Sequence, residues 1–333
     1  MAGVLKPGIT APDFMLSAIN LTAQVSLEEL AGKRIVLLFI PSNFVTDINN
    51  TILQFEEKRA DFAEHNTVVL GITDADENDL KLFTAKYITF PLLFDQCHVV
   101  SISSKYGTIS KEGMIHPTVF LIDEQKTIRR VYESSKYPNL PNPAMIIRAI
   151  IKLENTPTPA PVTGDDWQLG PSDAPITIIE YSDYQCKLCA ASFALLEYIL
   201  PLYEGKIRLI HRHLPLRHSH PQSQIAAEAA EAAGAQGKFW EMHRRLFESN
   251  GFLERENLIE YARELSLDIN RFIHDLNSGT YRDSVNQDFK RAIKNKIKLP
   301  PVLFINRILF EGQRTKDAIC ARIDELLSCA DDF

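Results

Sequence analysis

Apolar positions along the chain fall into two kinds of block that alternate. Short β-branched and apolar runs bounded by polar residues, "RIVLLFI" (34–40) and "NTVVLGIT" (66–73), read as strands covered on both faces. "PTVFLIDEQKTIRRVY" (117–132) reads as two further strands around a turn. Between them, "DINNTILQFEEKRADFAEH" (47–65) places Ile48, Ile52, Phe55 and Phe62 at helical spacing, behind Asp and Asn suited to capping. Further along, "ITIIEYSDY" (176–184) and "IRLIHRHLPL" (207–216) are strands, and "CAASFALLEYIL" (189–200) is a helix that begins at a CxxC pair. A long Ala-rich and charged block follows, in which Phe239, Met242, Leu246 and Phe247 form one buried helical stripe. "PPVLFIN" and "RILFEG" are a last pair of strands before a terminal helix from about Thr315.

Between the two sets of blocks lies "LENTPTPAPVTGDDW" (153–167), where Pro157, Pro159 and Pro161 disfavour helix and hold an extended, semi-rigid spacer. The expected organisation is therefore a domain over 1–152, a Pro-rich linker over 153–164 and a second domain over 165–333 with a helical insertion at about 220–290. Both halves are α/β.

Length and composition agree: 333 residues, 45% hydrophobic and 24% charged, suit a two-domain globular protein. A net charge of −7 without any dense basic run argues against a nucleic-acid partner. The longest apolar run, "IVLLFIP" (35–41), is far short of the roughly 20 residues that cross a bilayer, so no membrane partner is expected. The opening "MAGVLKPGITAPDF" lacks the apolar stretch and cleavage site of a signal peptide, which points to the cytoplasm.

Five cysteines (Cys97, Cys186, Cys189, Cys320, Cys329) are too few and too scattered for a disulfide scaffold. The close pair Cys186/Cys189 is the exception. A thiolate is the attacking species in disulfide exchange, and a helix N-terminus, with Lys187 beside it, favours that form at Cys186. Cys189, one turn later, is placed to attack a mixed disulfide and release the substrate. Zinc would require two more ligands. His211, His213, His218 and His220 form only a loose cluster, and the first two alternate with strand period. No metal or cofactor is expected.

"SDAPITIIEYSDYQCKLC", "GKFWEMHRRLFES", "LSLDINRF" and "PPVLFINRILFEG" together resemble the DsbA-like thiol-disulfide oxidoreductases over about residues 165–328. The resemblance implies a thioredoxin fold with an inserted helical domain, Cys186 as nucleophile, Cys189 as resolving thiol, and Pro301 as a cis-proline whose neighbouring backbone docks an extended substrate. It also makes Glu180 the buried acid beneath the active site, able to exchange a proton with the resolving thiol; the competing reading is a strand-end Glu paired with a surface Lys. Lys187 and Leu188, between the cysteines, depart from the family's usual dipeptide. Pro300, before the cis-proline, removes a backbone N–H beside the substrate groove. All four residues, Lys187, Leu188, Pro300 and Pro301, are expected at the substrate surface.

"PGITAPDFML", "LLFIPSNFVTDINNT", "FTAKYITFPLLFDQ", "SKYG" and "VFLIDEQKTIRRVY" fall in the order of the peroxiredoxins (alkyl hydroperoxide reductase and thiol-specific antioxidant family) over about residues 4–135. That resemblance implies a second thioredoxin-like fold, yet the family's peroxide-attacking Cys falls on Ile48 and its Thr on Val45, and neither side chain can do the chemistry. Pro117 stands where the family has Arg and looks like a thioredoxin-type cis-proline. Cys97, beside His98, is read as a partly buried loop thiol.

Three functions remain. A cytoplasmic thiol-disulfide oxidoreductase working through Cys186 and Cys189, as reductase or isomerase on protein or small-molecule disulfides with an unidentified electron donor, agrees with the most residues. A thiol peroxidase using Cys186 or Cys97, and a non-enzymatic holdase offering apolar grooves, are the alternatives.

Overall fold

A computed structural model describes residues 3–21, 24–41, 45–75, 88–95, 101–110, 113–133 and 140–330, with backbone alone at 45–50 and 330. The chain divides into two compact units, Met1–Thr156 with Glu325–Phe333, and Pro157–Asp324. Among the described residues no helix is long and apolar enough to cross a membrane.

The first unit is built on strand β3 (Arg34–Ile40), whose residues after Arg34 are all buried. A small hairpin, β1 (Met15–Ser17) and β2 (Gln24–Ser26), precedes it. β4 (Thr67–Thr73) and then β5 (Leu92–Phe94) add in parallel on one side, and β6 (Thr118–Ile122) and β7 (Ile128–Glu133) add antiparallel on the other, in the order β5-β4-β3-β6-β7. Alternation along β3 divides the core. Val36, Leu38 and Ile40 pack with Phe55, Phe62 and Ile146, while Ile35, Leu37 and Phe39 pack with Tyr106 and Phe120.

The helix expected over 47–65 occurs as two pieces, α1 (Val45–Glu57) and α2 (Arg59–Glu64), separated at Lys58 with φ −93° and ψ 7°. Ile52, Phe55 and Phe62 are buried as their spacing predicts. A single turn, α3 (Ile102–Lys105), and α4 (Pro143–Asn155) complete the unit; Asn142 caps α4 by accepting from Ala144 N at 2.8 Å. Position 48 falls in the first turn of α1, and Cys97 lies outside the described residues. Pro117 does not carry the cis bond expected of it. The one cis peptide among the described residues is elsewhere, and His116 enters β6 held by its N–H on Thr108 O (2.6 Å) and by its carbonyl accepting from Thr118 Oγ1 (3.1 Å).

In the second unit β9 (Ile176–Ser182) and β10 (Ile207–His213) run parallel, joined by α5 (Lys187–Ile199). β11 (Val302–Ile305) pairs antiparallel with β9, and β12 (Ile308–Leu309) with β11. β8 (Trp167–Leu169) closes the other edge against β10, giving β12-β11-β9-β10-β8. Three partly exposed residues carry no periodic signal, and β8 exists because β10 offers it a free edge. The helical insertion is α6 (Ser223–Gly234), α7 (Phe239–Glu248), α8 (Arg255–Glu264), α9 (Ile269–Ser278) and α10 (Arg282–Lys294). α11 (Lys316–Ala330) ends the described chain.

One sheet face is apolar, with Ile179, Tyr181, Ile210 and Phe304 against Ala292 and Ile297. The other carries Glu180, Ser182, His211 and His213, all buried, so polar chemistry is concentrated between this face and the covering helices. Residues 160–166 are bound to this unit by Arg212. Its fully buried guanidinium donates to Ala160 O and Pro161 O (both 2.9 Å), to the two Asp166 carboxylate oxygens (2.7 and 2.9 Å) and to Tyr181 OH (2.8 Å).

Candidate active site

The turn that presents the CxxC pair is held by Asp183. Its Oδ1 accepts from Gln185 N (2.8 Å), its Oδ2 from Leu216 N (2.7 Å) and lies 2.9 Å from His220 Nδ1, and its carbonyl accepts from Cys186 N (3.1 Å). The chain thus leaves β9, turns once, and enters α5 with Cys186 as N-cap at φ −86° and ψ 115°. Cys186 Sγ accepts from Cys189 N at 3.3 Å, so its sulfur sits where a capping oxygen would and faces the unpaired amides of the first turn. Cys186 is half-buried, while Cys189 is 0% exposed on the stripe formed with Ser192, Phe193, Leu196 and Ile199. Burial, with a hydrogen bond to Cys186, pushes the Cys189 thiol well above its ordinary range.

Glu180 lies beneath this helix, 1% exposed, and accepts from Ser192 Oγ at 2.6 Å. It is not a strand-end residue paired at the surface. Burial raises its pKa to about 7, against the opposing influence of the Ser192 hydrogen bond and the Arg314 charge. The charge of Glu180 adds a smaller push in the same direction, favouring the neutral form of the Cys189 thiol. Arg314, in the loop after β12, also donates to Pro301 O.

The Pro300–Pro301 peptide is cis and leads directly into β11, whose Val302 and Leu303 are register partners of Tyr181 and Glu180. In the first turn of α5 Lys187 is exposed and Leu188 is 71% exposed; before β11 Leu299 is 70% exposed, Pro300 half-buried and Pro301 buried. Cys186 is half-buried, and the buried Glu180 and Cys189 lie behind it.

Behind the pair is a set of buried rings. His211 and His213 do occupy one face of β10, and His218 and His220 lie in the loop beyond it. His211 Nε2 is 3.2 Å from His213 Nδ1, and His213 Nε2 is 3.0 Å from Glu231 Oε1, which also accepts from Trp167 Nε1 at 2.8 Å. On the near side Ser182 Oγ is 3.4 Å from His211 Nδ1, and Tyr184 OH is 2.7 Å from His243 Nδ1. Burial pushes His211 and His243 well below the ordinary histidine range and Tyr184 well above that of tyrosine. For Glu231 burial acts upward, but hydrogen bonds from His213, Trp167 and Ser284 outweigh it and hold the carboxyl low. Among the described residues no group of three or more His, Cys, Asp or Glu side chains is arranged to hold a metal.

The sequence points to Cys186 and Cys189 by their spacing and to Glu180, Pro300 and Pro301 by the family resemblance; the structure places the cysteines at the start of α5, Glu180 buried on β9 and the cis Pro300–Pro301 bond at the entry to β11. The sequence does not point to Ser192, Tyr184, Asp183, His243 or Arg314. His243 had a signal: it sits four residues from both Phe239 and Phe247, in the middle of the buried stripe.

Two family models match the chain, AhpC/TSA over residues 7–131 and Thioredoxin over residues 162–325. The chain thus carries an AhpC/TSA segment and a thioredoxin segment in tandem, each on a mixed α/β sheet. Among curated proteins it is 37% identical over 164 residues to a Na(+)/H(+) antiporter NhaA 1 of Salinispora arenicola, an alignment of 49% of this chain and 25% of that protein. The chain spans about a quarter of the length of the curated relatives it matches. Solved structures similar to parts of it include oxidised BdbD from Bacillus subtilis (23% identity, TM-score 0.46, 51% of this chain and 97% of that one). AhpC from Mycobacterium tuberculosis is another (20% identity, TM-score 0.41, 45% of this chain and 94% of that one).

Proposed function

We propose that the protein is a thiol-disulfide oxidoreductase whose second unit carries the reaction. The observation that supports this most directly is the division of labour between the two sulfurs: Cys186 caps α5 and is reachable, and Cys189, bonded to it through the backbone N–H at 3.3 Å, is sealed beneath. Cys186 attacks one sulfur of a substrate disulfide, forming a mixed disulfide and expelling the other sulfur as thiolate. Cys189 then loses its proton to Glu180, attacks Cys186 and releases the second substrate thiolate, so two electrons pass to the substrate and the pair ends oxidised.

Lys187, Leu188, Pro300 and Pro301 form the surface on which the substrate chain lies, with Leu188 and Leu299 favouring an apolar segment next to the target disulfide. In a reducing cytoplasm the net direction is reduction or isomerisation, sustained by a small thiol or dithiol donor. The first unit has no cysteine before Cys97, and no peroxidase step is assigned to it. Insulin turbidity with dithiothreitol tests the assignment: the full chain accelerates precipitation, Cys186→Ser abolishes the acceleration, and a Cys186→Ser chain retaining full activity refutes it.

A further inference from the structure

Two segments of the second unit that meet the cysteine pair and the cis peptide are short of acid. From Phe289 to Phe310 the chain has Lys290, Arg291, Lys294, Lys296, Lys298 and Arg307 and no Asp or Glu, in a protein whose net charge is −7. That run contains Pro300 and Pro301. α5 opens with Lys187, has no acid in its first turn and none before Glu197. A cation there opposes the helix dipole, so helix stability does not account for it. Cations on the helical insertion are matched, with Arg245 2.6 Å from Glu264, Arg263 2.9 Å from Glu260 and Lys238 2.9 Å from Glu241. Lys187, Lys298 and Arg314 are exposed, and among the described residues no carboxylate forms an ion pair with them.

Arg314 is tied to the entry of β11. Its Nη2 donates to Pro301 O, and its charge acts on the buried carboxyl of Glu180, the register partner of Leu303. Val302 pairs with Tyr181, so Pro301 stands beside Ser182 at the end of β9, where the turn to Cys186 begins. Lys298 comes three residues before Pro301 in the chain, and Lys187 directly follows Cys186. The backbone at this place is poor in donors: Pro300 and Pro301 have no N–H, and the Pro301 carbonyl is already bonded. An extended chain laid along it finds no N–H for its own oxygens, so donors must come from side chains. The remaining N–H groups of Arg314 have no partner among the described residues, and Glu311 and Asp317, three residues to either side, form no ion pair with it.

We infer that this site selects disulfides whose cysteine is flanked by carboxylates, with Arg314, Lys298 and Lys187 as the groups that recognise them; the inference rests on the oxidoreductase reading and names its substrate class. The occupant is an acidic peptide segment, not a small acidic thiol. Leu188 and Leu299 adjoin Lys187 and Lys298 in the chain and expose large apolar side chains, which gives an aliphatic residue of the substrate a place to lie. Opposite charges speed the encounter and fix the register of the bound chain. The Cys186 thiolate then attacks one sulfur of the peptide disulfide, that S–S bond breaks, and the other peptide leaves as thiolate. The carboxylates take no part in the exchange of bonds.

The test uses the full chain with Cys97, Cys189, Cys320 and Cys329 replaced by Ser, so that attack by Cys186 stops at the mixed disulfide. Its substrates are symmetrical disulfides of one short Leu-containing peptide in which both neighbours of the cysteine are Glu, Gln or Lys, with glutathione disulfide alongside. Each rate of mixed-disulfide formation, read by chromatography after acid quenching, is divided by that of the same disulfide with dithiothreitol, which removes differences in the disulfides' own reactivity. At about 0.01 M salt the Glu peptide should exceed the Lys peptide about tenfold, and the excess should vanish near about 1 M, where the screening length is about 3 Å. Arg314→Gln and Lys298→Gln should each lower this ratio about threefold, whereas a general loss of thiol reactivity leaves a ratio untouched. A ratio near one in the parent, a ratio that survives high salt, or one that both variants leave unaltered overturns the inference, and glutathione disulfide reacting faster than the Glu peptide overturns the choice of a peptide. Absence of mixed disulfide with every substrate would overturn the oxidoreductase reading instead, so the two failures are distinguishable.

Discussion

Replacing Glu180 by Gln is the most informative single change, because it alters a proton-binding group while keeping an oxygen for Ser192 Oγ, now 2.6 Å away. Burial raises the pKa of Glu180 from the ordinary 4.5 to about 7. A group raised in the folded state binds more protons there than in the unfolded chain, so its stabilising effect is complete below about pH 4.5 and is lost as pH climbs through about 7. At roughly 1.4 kcal/mol per pH unit the loss across this window is about 3 kcal/mol. Gln does not ionise. The variant should therefore lack this downward slope and exceed the reduced parent in stability above neutrality by about the same amount, less any difference in packing. Urea unfolding at a series of pH values, followed by tryptophan fluorescence, measures this. The two tryptophans of the chain, Trp167 and Trp240, both lie in the second unit and report it selectively. Parallel stability curves for parent and Glu180→Gln would show that Glu180 is ordinary in its ionisation, and the reasoning about the buried acid would fail.

Two further outcomes follow from packing. Arg212→Met removes the buried cation that holds Ala160, Pro161 and Asp166, leaving an unpaired carboxylate; the second unit should lose about 3–5 kcal/mol, and limited proteolysis should cut between 157 and 166 before it cuts elsewhere. Unchanged stability and an uncut segment would show that Arg212 does not clamp it. Gly234→Ala points a methyl at the Trp167 ring, which stacks on Phe239 at 4.3 Å; a loss of about 1–3 kcal/mol with a shifted tryptophan emission is expected, and an unshifted spectrum would contradict it.

Much of this protein is visible in local pattern. Runs such as Arg34–Ile40 and Ile176–Ser182 are strands because short β-branched sequences bury on both faces, and Cys186 lies at a strand-to-helix turn because the period of the apolar positions changes there. The two-domain order, the helical insertion and the place of the thiols are legible for that reason. Pro117 and β8 were not: a proline's isomer depends on the hydrogen bonds that its neighbours find, and a three-residue edge strand depends on the edge that accepts it.

What only the tertiary structure decided is which polar groups meet in the interior. Ser192 reaches Glu180 from another element, His213 meets Glu231 across the insertion, and Arg212 closes on a segment some fifty positions earlier in the chain. Spacing along the chain carries no record of such partners, since a buried polar side chain is satisfied by whatever donor or acceptor the fold brings within about 3 Å. Sequence placed the two sulfurs at the start of a helix, and the family resemblance named Glu180; the packed sheet and helices decided that Ser192 and Arg314 are the groups that act on that acid.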